Sequence, residues 1–453
     1  MREYMTILLV NPWIHDFAAY DFWSKPLGLL TIASILRAQG FDVRYFDCLD
    51  PYHEGTFENC PSKKPKRTGW GSGKYSKEEI RKPAALQHVA RRYSRYGIAP
   101  ALFEEELRAI PVPDAVFVTS MMTYWYPGVF ETIALVKKVL PFVPVVLGGN
   151  YATLCHGHAV ALSGADFVIT GEAEPQLPFL LERLTGRDIS GMISSDPAPA
   201  ESPYPAYDLI RHLDQVALMT SRGCPFSCSY CASAYLNPLF RARDPIDVVE
   251  EIQYWNRRGI VNFSFYDDAL LIDRKRRIIP MLQEILRRKL SLSFHCPNGL
   301  HIRSIDEELA DLMFRAGFKT IRFGFESADS IRQIETGGKV DNDETERAVK
   351  ILKKAGYEGS DIGMYILCGL PGQKASEVAD AVEFIGSLGA RPVIAEYSPI
   401  PHTALWNESV AASAYDIANE PLYHNNTLLP CGGDTMTYDE YRRLKNRAQR
   451  YRL

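Results

Sequence analysis

Six short apolar runs, each paired with a helical stretch, fill the second half of this 453-residue chain. The runs are Val216–Thr220, Val261–Tyr266, Leu292–His295, Thr320–Phe323, Ile362–Leu367 and Val393–Glu396. Between them lie Ile246–Arg257, Lys275–Arg288, Asp306–Phe314, Glu344–Lys354 and Ser376–Ser387, which read as helices. Short buried strands alternating with helices belong in parallel sheets, because each crossover helix covers the sheet it spans. Six such repeats predict a partial (β/α)6 barrel over residues 215–400. Its site is expected at the carboxyl ends of the strands.

The first 190 residues show a second alternation. Ile7–Val10, Val43–Phe46, Ala115–Thr119, Val143–Leu147 and Phe167–Ile169 read as strands. Leu27–Arg37, Phe130–Leu140 and Pro175–Leu184 read as helices. This pattern predicts an α/β, doubly wound, Rossmann-like parallel sheet, which binds ligands where strand order reverses. An insertion over residues 49–100 interrupts it and is expected to be a lid or binding loop, or else disordered. Its Gly69–Lys74 stretch follows no strand and lacks the Gly-Lys-Ser/Thr of a phosphate loop. The run Lys63-Lys64-Pro65-Lys66-Arg67 reads as a solvated loop. Pro197, Pro199, Pro203 and Pro205 mark an extended linker over 191–214. Residues 401–453 form a C-terminal extension with a basic helix, Tyr438–Arg450.

Hydrophobic residues make up 46% of the chain, charged residues 23%, and net charge is −4. That balance gives no reason to expect a nucleic-acid partner. No apolar run approaches the roughly 20 residues that span a bilayer, and no export segment is visible. The nine cysteines are odd in number and six stand alone. A disulfide framework is therefore not expected, and a reducing, cytoplasmic setting is.

The other three cysteines carry the chemistry. Ser221-Arg222-Gly223-Cys224-Pro225-Phe226-Ser227-Cys228-Ser229-Tyr230-Cys231 follows the first barrel strand. Three thiolates in eight residues can hold one compact centre, and soft thiolates select zinc, copper(I) or iron–sulfur. A closed zinc site needs a fourth ligand, which the nearby chain lacks. Three thiolates on a four-iron cluster leave one iron open to a substrate.

This motif, with an aromatic before the last cysteine, resembles the radical S-adenosylmethionine superfamily. The resemblance implies a [4Fe–4S] cluster on Cys224, Cys228 and Cys231, and S-adenosylmethionine chelated at the open iron. It implies reductive cleavage to a 5′-deoxyadenosyl radical that abstracts hydrogen from substrate, and no catalytic residue beyond the cofactor ligands. Tyr230 and Asp267 match positions near the cofactor. Gly324, Glu326 and Ser327 resemble the family's Gly-x-Glu-Ser, whose Glu binds the ribose. Gly369 and Leu370, in Gly-Leu-Pro-Gly, match the loop beside the adenine. Lys339 is expected to meet the methionine carboxylate. An external electron donor such as flavodoxin or ferredoxin is implied, and the substrate, a small molecule or peptide, is not identified.

Pro26-Leu27-Gly28-Leu29-Leu30, Leu147-Gly148-Gly149 and Thr170-Gly171-Glu172-Ala173-Glu174 resemble the cobalamin-binding domain fused to many radical enzymes. The resemblance places cobalamin against Leu27, Gly28, Ser120, Gly148, Gly149, Asn150, Gly171 and Glu172. The Asp-x-His-x-x-Gly signature of proteins with a histidine lower ligand is missing, and His15 reads as structural. Cys48, Cys60 and Cys155 do not have the spacing of a second cluster and read as incidental thiols. The combined resemblance implies cobalamin-dependent methylation of an unactivated carbon. Cyclisation, rearrangement or oxidation with the same parts stays open, as does a metal-binding protein without turnover.

Overall fold

Residues 5–56, 64–186 and 204–451 are described in the computed structural model. They form two compact units, Met1–Asp214 and Gln215–Leu453. The first unit contains strands Thr6–Asn11 (β1), Ile14–Asp16 (β2), Asp42–Asp47 (β3), Lys77–Glu79 (β4), Ser94–Tyr96 (β5), Ala115–Val118 (β6), Val145–Leu147 (β7) and Phe167–Val168 (β8). Five of them make a parallel sheet in the order β3-β1-β6-β7-β8. Alternate residues feed two separate cores. Leu8, Val10, Val116, Val118 and Leu147 pack with helix Tyr126–Val139, whereas Ile7, Leu9, Ala115, Phe117 and Val146 pack with helix Leu27–Ala38. A sheet with helices on both faces buries both sets of side chains, which is why its strands read as continuous apolar runs. Strand order reverses between β1 and β6, so the ligand crevice of such a sheet opens there.

Three features differ from the sequence reading. The insertion is partly folded: β5 pairs antiparallel with β2 on one side and with β4 on the other. These strands are three residues long and β4 is wholly exposed, so no alternation announces them. In the basic run, Arg67 is not solvated, because its guanidinium pairs with the buried Asp21 at 2.6 Å; Lys63 lies outside the described residues. Of the expected linker, Pro197, Pro199 and Pro203 also lie outside them. The part from Tyr204 onward is docked rather than extended: Ala206 N–H donates to Leu30 O at 3.0 Å, and Tyr207 is fully buried.

The second unit contains Val216–Leu218 (β9), Ser221–Arg222 (β10), Arg241–Ala242 (β11), Asn262–Phe265 (β12), Ser293–His295 (β13), Phe318–Glu326 (β14), Ile362–Cys368 (β15) and Arg391–Glu396 (β16). Six run parallel in the order β9-β12-β13-β14-β15-β16, an open (β/α)6 arrangement. Aspartates start the crossover helices. Asp306, Asp329 and Asp341 each accept the N–H three residues on, at 2.7–2.9 Å, contacts worth about 1 kcal/mol each. The extension closes on the same unit: Lys445 in helix Tyr438–Gln449 pairs with Glu396 at the end of β16, 2.8 Å apart. Among the described residues no helix is long and apolar enough to cross a membrane.

Candidate functional site

The cysteine loop leaves β9 and is closed at its base by the two-stranded ribbon β10–β11. Gly223 turns it with φ +78°, and a Cβ there would stand 2.7 Å from Leu239 O, so only glycine fits. Beneath the turn lies Asp267, at the end of β12. Its carboxylate accepts from Thr220 N (3.0 Å), Thr220 Oγ1 (2.6 Å) and Ser221 Oγ (2.6 Å), with Arg277 3.8 Å away. The position near the cofactor that the resemblance gave Asp267 is not where its oxygens point. They are buried and turned to the base of the loop, which they fix in place. Asp268, its neighbour, bonds Ser233 and lies near enough to Cys224 to raise its pKa.

The three thiols are half-buried and mutually close. Burial, with Cys228, Cys231 and Asp268 nearby, pushes Cys224 up to about 11. Burial likewise raises Cys228, against the opposing charge of Lys339. Iron must therefore displace protons here, as thiolate-binding metals do. Among the described residues no three His, Cys, Asp or Glu side chains converge on a single-ion site. A structural zinc ion needs four ligands around one point; a cluster takes each thiolate on a separate iron. The donor set of three neighbouring thiols fits the cluster.

Above the loop, Tyr230 meets Glu326 at the end of β14 and Lys339 in the loop that follows helix Ser330–Glu335. Its hydroxyl donates to Glu326 Oε1 at 2.8 Å and receives from Lys339 Nζ at 2.8 Å; Lys339 also pairs with Glu326 at 2.6 Å. Glu326 has φ +69° at a bulge between β14 and β15. A left-handed glutamate is strained, and such strain collects at functional sites. Gly324 makes the space: a Cβ there would meet Glu326 Oε1 at 2.6 Å and Lys339 Nζ at 2.8 Å. Burial opposes the charge on Lys339, yet Glu326 and Cys228 hold its pKa above the usual value. Leu370 packs in the apolar cluster that also receives Tyr230. Gly369 and Leu370 donate their N–H groups to Gln373 Oε1, at 2.8 and 3.3 Å, which preforms the Gly-Leu-Pro-Gly loop. Ser327 is 1% exposed and accepts from Asp329 N, so it serves the turn.

Tyr230, Gly324, Glu326, Lys339 and Leu370 are thus gathered beside Cys228, while Asp267 and Ser327 face the framework. Sequence reasoning missed Gly337, Gln373 and His301. Gly337 has φ +121° and touches the loop: a Cβ there would lie 3.2 Å from Cys228 Sγ. Adjacent glycines before Lys339 were the available signal. The extension also reaches the loop, since Leu405 N–H donates to Ser229 O at 2.8 Å.

In the first unit, Ser120, Gly148, Gly149, Asn150, Gly171 and Glu172 lie just beyond the carboxyl ends of β6, β7 and β8, and Leu27 and Gly28 open the helix after β1 and β2. Ser120 Oγ donates to Gly148 O at 2.6 Å, Asn150 N to Ser120 O at 3.0 Å, and Gly171 N to Thr153 Oγ1 at 2.9 Å. Gly149 is needed for packing, since a Cβ would stand 2.2 Å from Ser120 O. Gly28, Gly148 and Gly171 are different: a Cβ on any of them meets nothing within 4 Å. That open edge fits a large flat ligand. His15 is buried and held by Glu131 at 2.7 Å. Cys48 is buried in the core and Cys155 half-buried, with its thiol raised to about 12 by burial; Cys60 lies outside the described residues.

Residues 218–385 match the Radical SAM superfamily model. The chain is 29% identical to an uncharacterised methyltransferase of Pyrococcus horikoshii, over 66% of this chain and 70% of that one. It is 24% identical to the cytidylyl-2-hydroxyethylphosphonate methyltransferase of Streptomyces wedmorensis, over 93% and 84%. Its fold is similar to the radical S-adenosylmethionine methyltransferase TsrM of Kitasatospora setae, solved with cobalamin and a [4Fe–4S] cluster, with TM-score 0.64, 18% identity and coverage of 91% and 79%. Residues 218–385 thus form a radical S-adenosylmethionine domain of an enzyme, and the chain shares the overall fold of that methyltransferase.

Proposed function

We propose that the protein methylates an unactivated carbon, using S-adenosylmethionine, a [4Fe–4S] cluster and cobalamin. The observation that carries this reading is the meeting of Tyr230, Glu326 and Lys339 beside Cys228, in a chain whose other unit leaves three glycine edges open. Cys224, Cys228 and Cys231 would hold the cluster, which supplies the electron for cleaving the sulfonium. Lys339 offers an ammonium to the methionine carboxylate, and Glu326 offers acceptors to the ribose hydroxyls. Both groups already contact each other and Tyr230, so each would exchange part of that buried ion pair for a contact with the cofactor. The Gln373-pinned loop presents Leu370 as an apolar wall. Gly28, Gly148 and Gly171 admit cobalamin, which supplies the methyl group's carrier.

The test uses anaerobically reconstituted protein with reductant. Formation of 5′-deoxyadenosine and retention of cobalamin are expected. Gly148→Phe should lose cobalamin and still form 5′-deoxyadenosine, because a Cβ there meets nothing within 4 Å and the ring beyond it would fill the ligand edge. Wild-type protein that retains no cobalamin would remove methyl transfer; protein that forms no 5′-deoxyadenosine would remove the radical step as well.

A further inference from the structure

His301 lies in the turn after β13 and has no place in the reading above. Its neighbours set it against the S-adenosylmethionine motifs. Leu300 N–H donates to Arg322 O at 2.7 Å, and Gly324 N–H donates to Leu300 O at 3.2 Å. Gly299 presses so closely on Gly324 that a Cβ would stand 3.0 Å from its nitrogen. The turn is therefore stitched to the strand that carries Glu326. The imidazole of His301 is 7% exposed and packs on Phe226, inside the cysteine loop, with ring centres 4.5 Å apart. Lys339 stands close enough for its charge to act on the ring. Burial and that ammonium push the His301 pKa down to about 4, which keeps the ring neutral.

One atom is left over. Nδ1 of His301 is buried and has no hydrogen-bond partner among the described residues. Buried polar atoms are nearly always paired, so an exception beside a ligand site points to the ligand. We propose that His301 donates a hydrogen bond to the methionine carboxylate of S-adenosylmethionine, alongside Lys339. This rests on the reading that the methionine end of S-adenosylmethionine sits over the cysteine loop next to Lys339. A carboxylate has about four acceptor sites and one ammonium does not fill them. A neutral imidazole adds a donor without adding a second buried charge.

The experiment measures S-adenosylmethionine binding to the anaerobic, cluster-loaded protein by equilibrium dialysis. Wild type, His301→Asn and His301→Phe are compared, with iron and sulfide counted for each. Asparagine restores a donor near the Nδ1 position; phenylalanine keeps the ring against Phe226 and has no donor. The Phe variant should bind roughly tenfold more weakly, the loss of one hydrogen bond to a charged group, and the Asn variant should recover most of it. Decarboxylated S-adenosylmethionine keeps the amine and lacks the carboxylate, so wild type and the Phe variant should bind it alike. Equal binding of S-adenosylmethionine by the Phe variant overturns the proposal, as does an equal penalty on the decarboxylated analogue. Loss of iron in both variants also overturns it, because the ring would then only prop the loop. Failure of wild type to bind S-adenosylmethionine at all would instead sink the underlying reading.

Discussion

The hydroxyl of Tyr230 stands 2.8 Å from the ammonium of Lys339, and both reach the same oxygen of Glu326. A residue next to a cysteine ligand is thereby tied to two residues about a hundred positions away. Tyr230→Phe removes that tie and leaves the Lys339–Glu326 pair. S-adenosylmethionine affinity should fall about ten- to hundredfold, since hydrogen bonds to charged groups are worth roughly 1.5–3 kcal/mol. Iron and sulfide content should match wild type. A Phe variant with unchanged affinity would show that the hydroxyl is a bystander.

Gly337 tests how closely the Lys339 loop must approach the cluster ligands. Its φ of +121° disfavours any side chain, and an added methyl would stand 3.2 Å from Cys228 Sγ. Gly337→Ala should lower reconstituted iron to less than about half of wild type, because both the backbone and Cys228 must shift. Iron analysis and the visible absorbance of the cluster check this. Full loading would mean that the loop yields without cost.

Asp267 separates shape from charge. Asp267→Ala leaves Thr220 N–H and two hydroxyls without their acceptor and the Arg277 guanidinium without its nearby counter-charge, and should cost roughly 2–4 kcal/mol in chemical denaturation. Asp267→Asn keeps an acceptor for the N–H while the hydroxyls reorient, and should stay within about 1 kcal/mol of wild type at pH 7. Burial raises the Asp267 pKa above its usual 3.8. The native state thus holds this proton more tightly than the unfolded chain, so wild type gains on the Asn variant as pH falls through the folded value toward 3.8. An Asn variant as unstable as the Ala variant would refute the argument.

His295 predicts an acid-labile barrel. It is fully buried on β13, 3.2 Å from Thr320 Oγ1, and burial with Arg322 nearby holds its pKa down to about 4. The unfolded chain titrates near 6.5, so between 6.5 and 4 it binds more protons than the native state. The stability is present in full above pH 6.5 and is lost as pH falls toward 4, by about 2–3 kcal/mol. Urea denaturation at pH 7 and pH 4.5 should show this loss, and His295→Gln should reduce it. An identical pH slope in the two proteins would exclude His295 as the source.

Much of this was legible in the sequence, for identifiable reasons. The barrel strands are short apolar runs bounded by helices with aspartate caps, and periodicity reports both. The cysteine triplet is visible because its three ligands are local. What stayed hidden depends on distant neighbours. Asp267 stands at a strand's carboxyl end, where a cofactor contact was expected, but its partners Thr220 and Ser221 lie 46–47 positions earlier and turn it inward. His301 looked like any loop histidine until Phe226 and Lys339 closed around it. The small sheet of β2, β4 and β5 had no pattern to read, since one of its strands is Lys77-Glu78-Glu79.

The bond from Leu405 N–H to Ser229 O has a consequence for how the protein is made. Ser229 leaves the ribosome long before Leu405 does, at about 5–20 residues per second. During that interval the nascent chain displays its three thiols on a loop still missing one of its supports. Cluster delivery to a finished loop thus waits until Leu405 has emerged, and a truncation upstream of Leu405 would damage maturation of the metal site as well as the part removed.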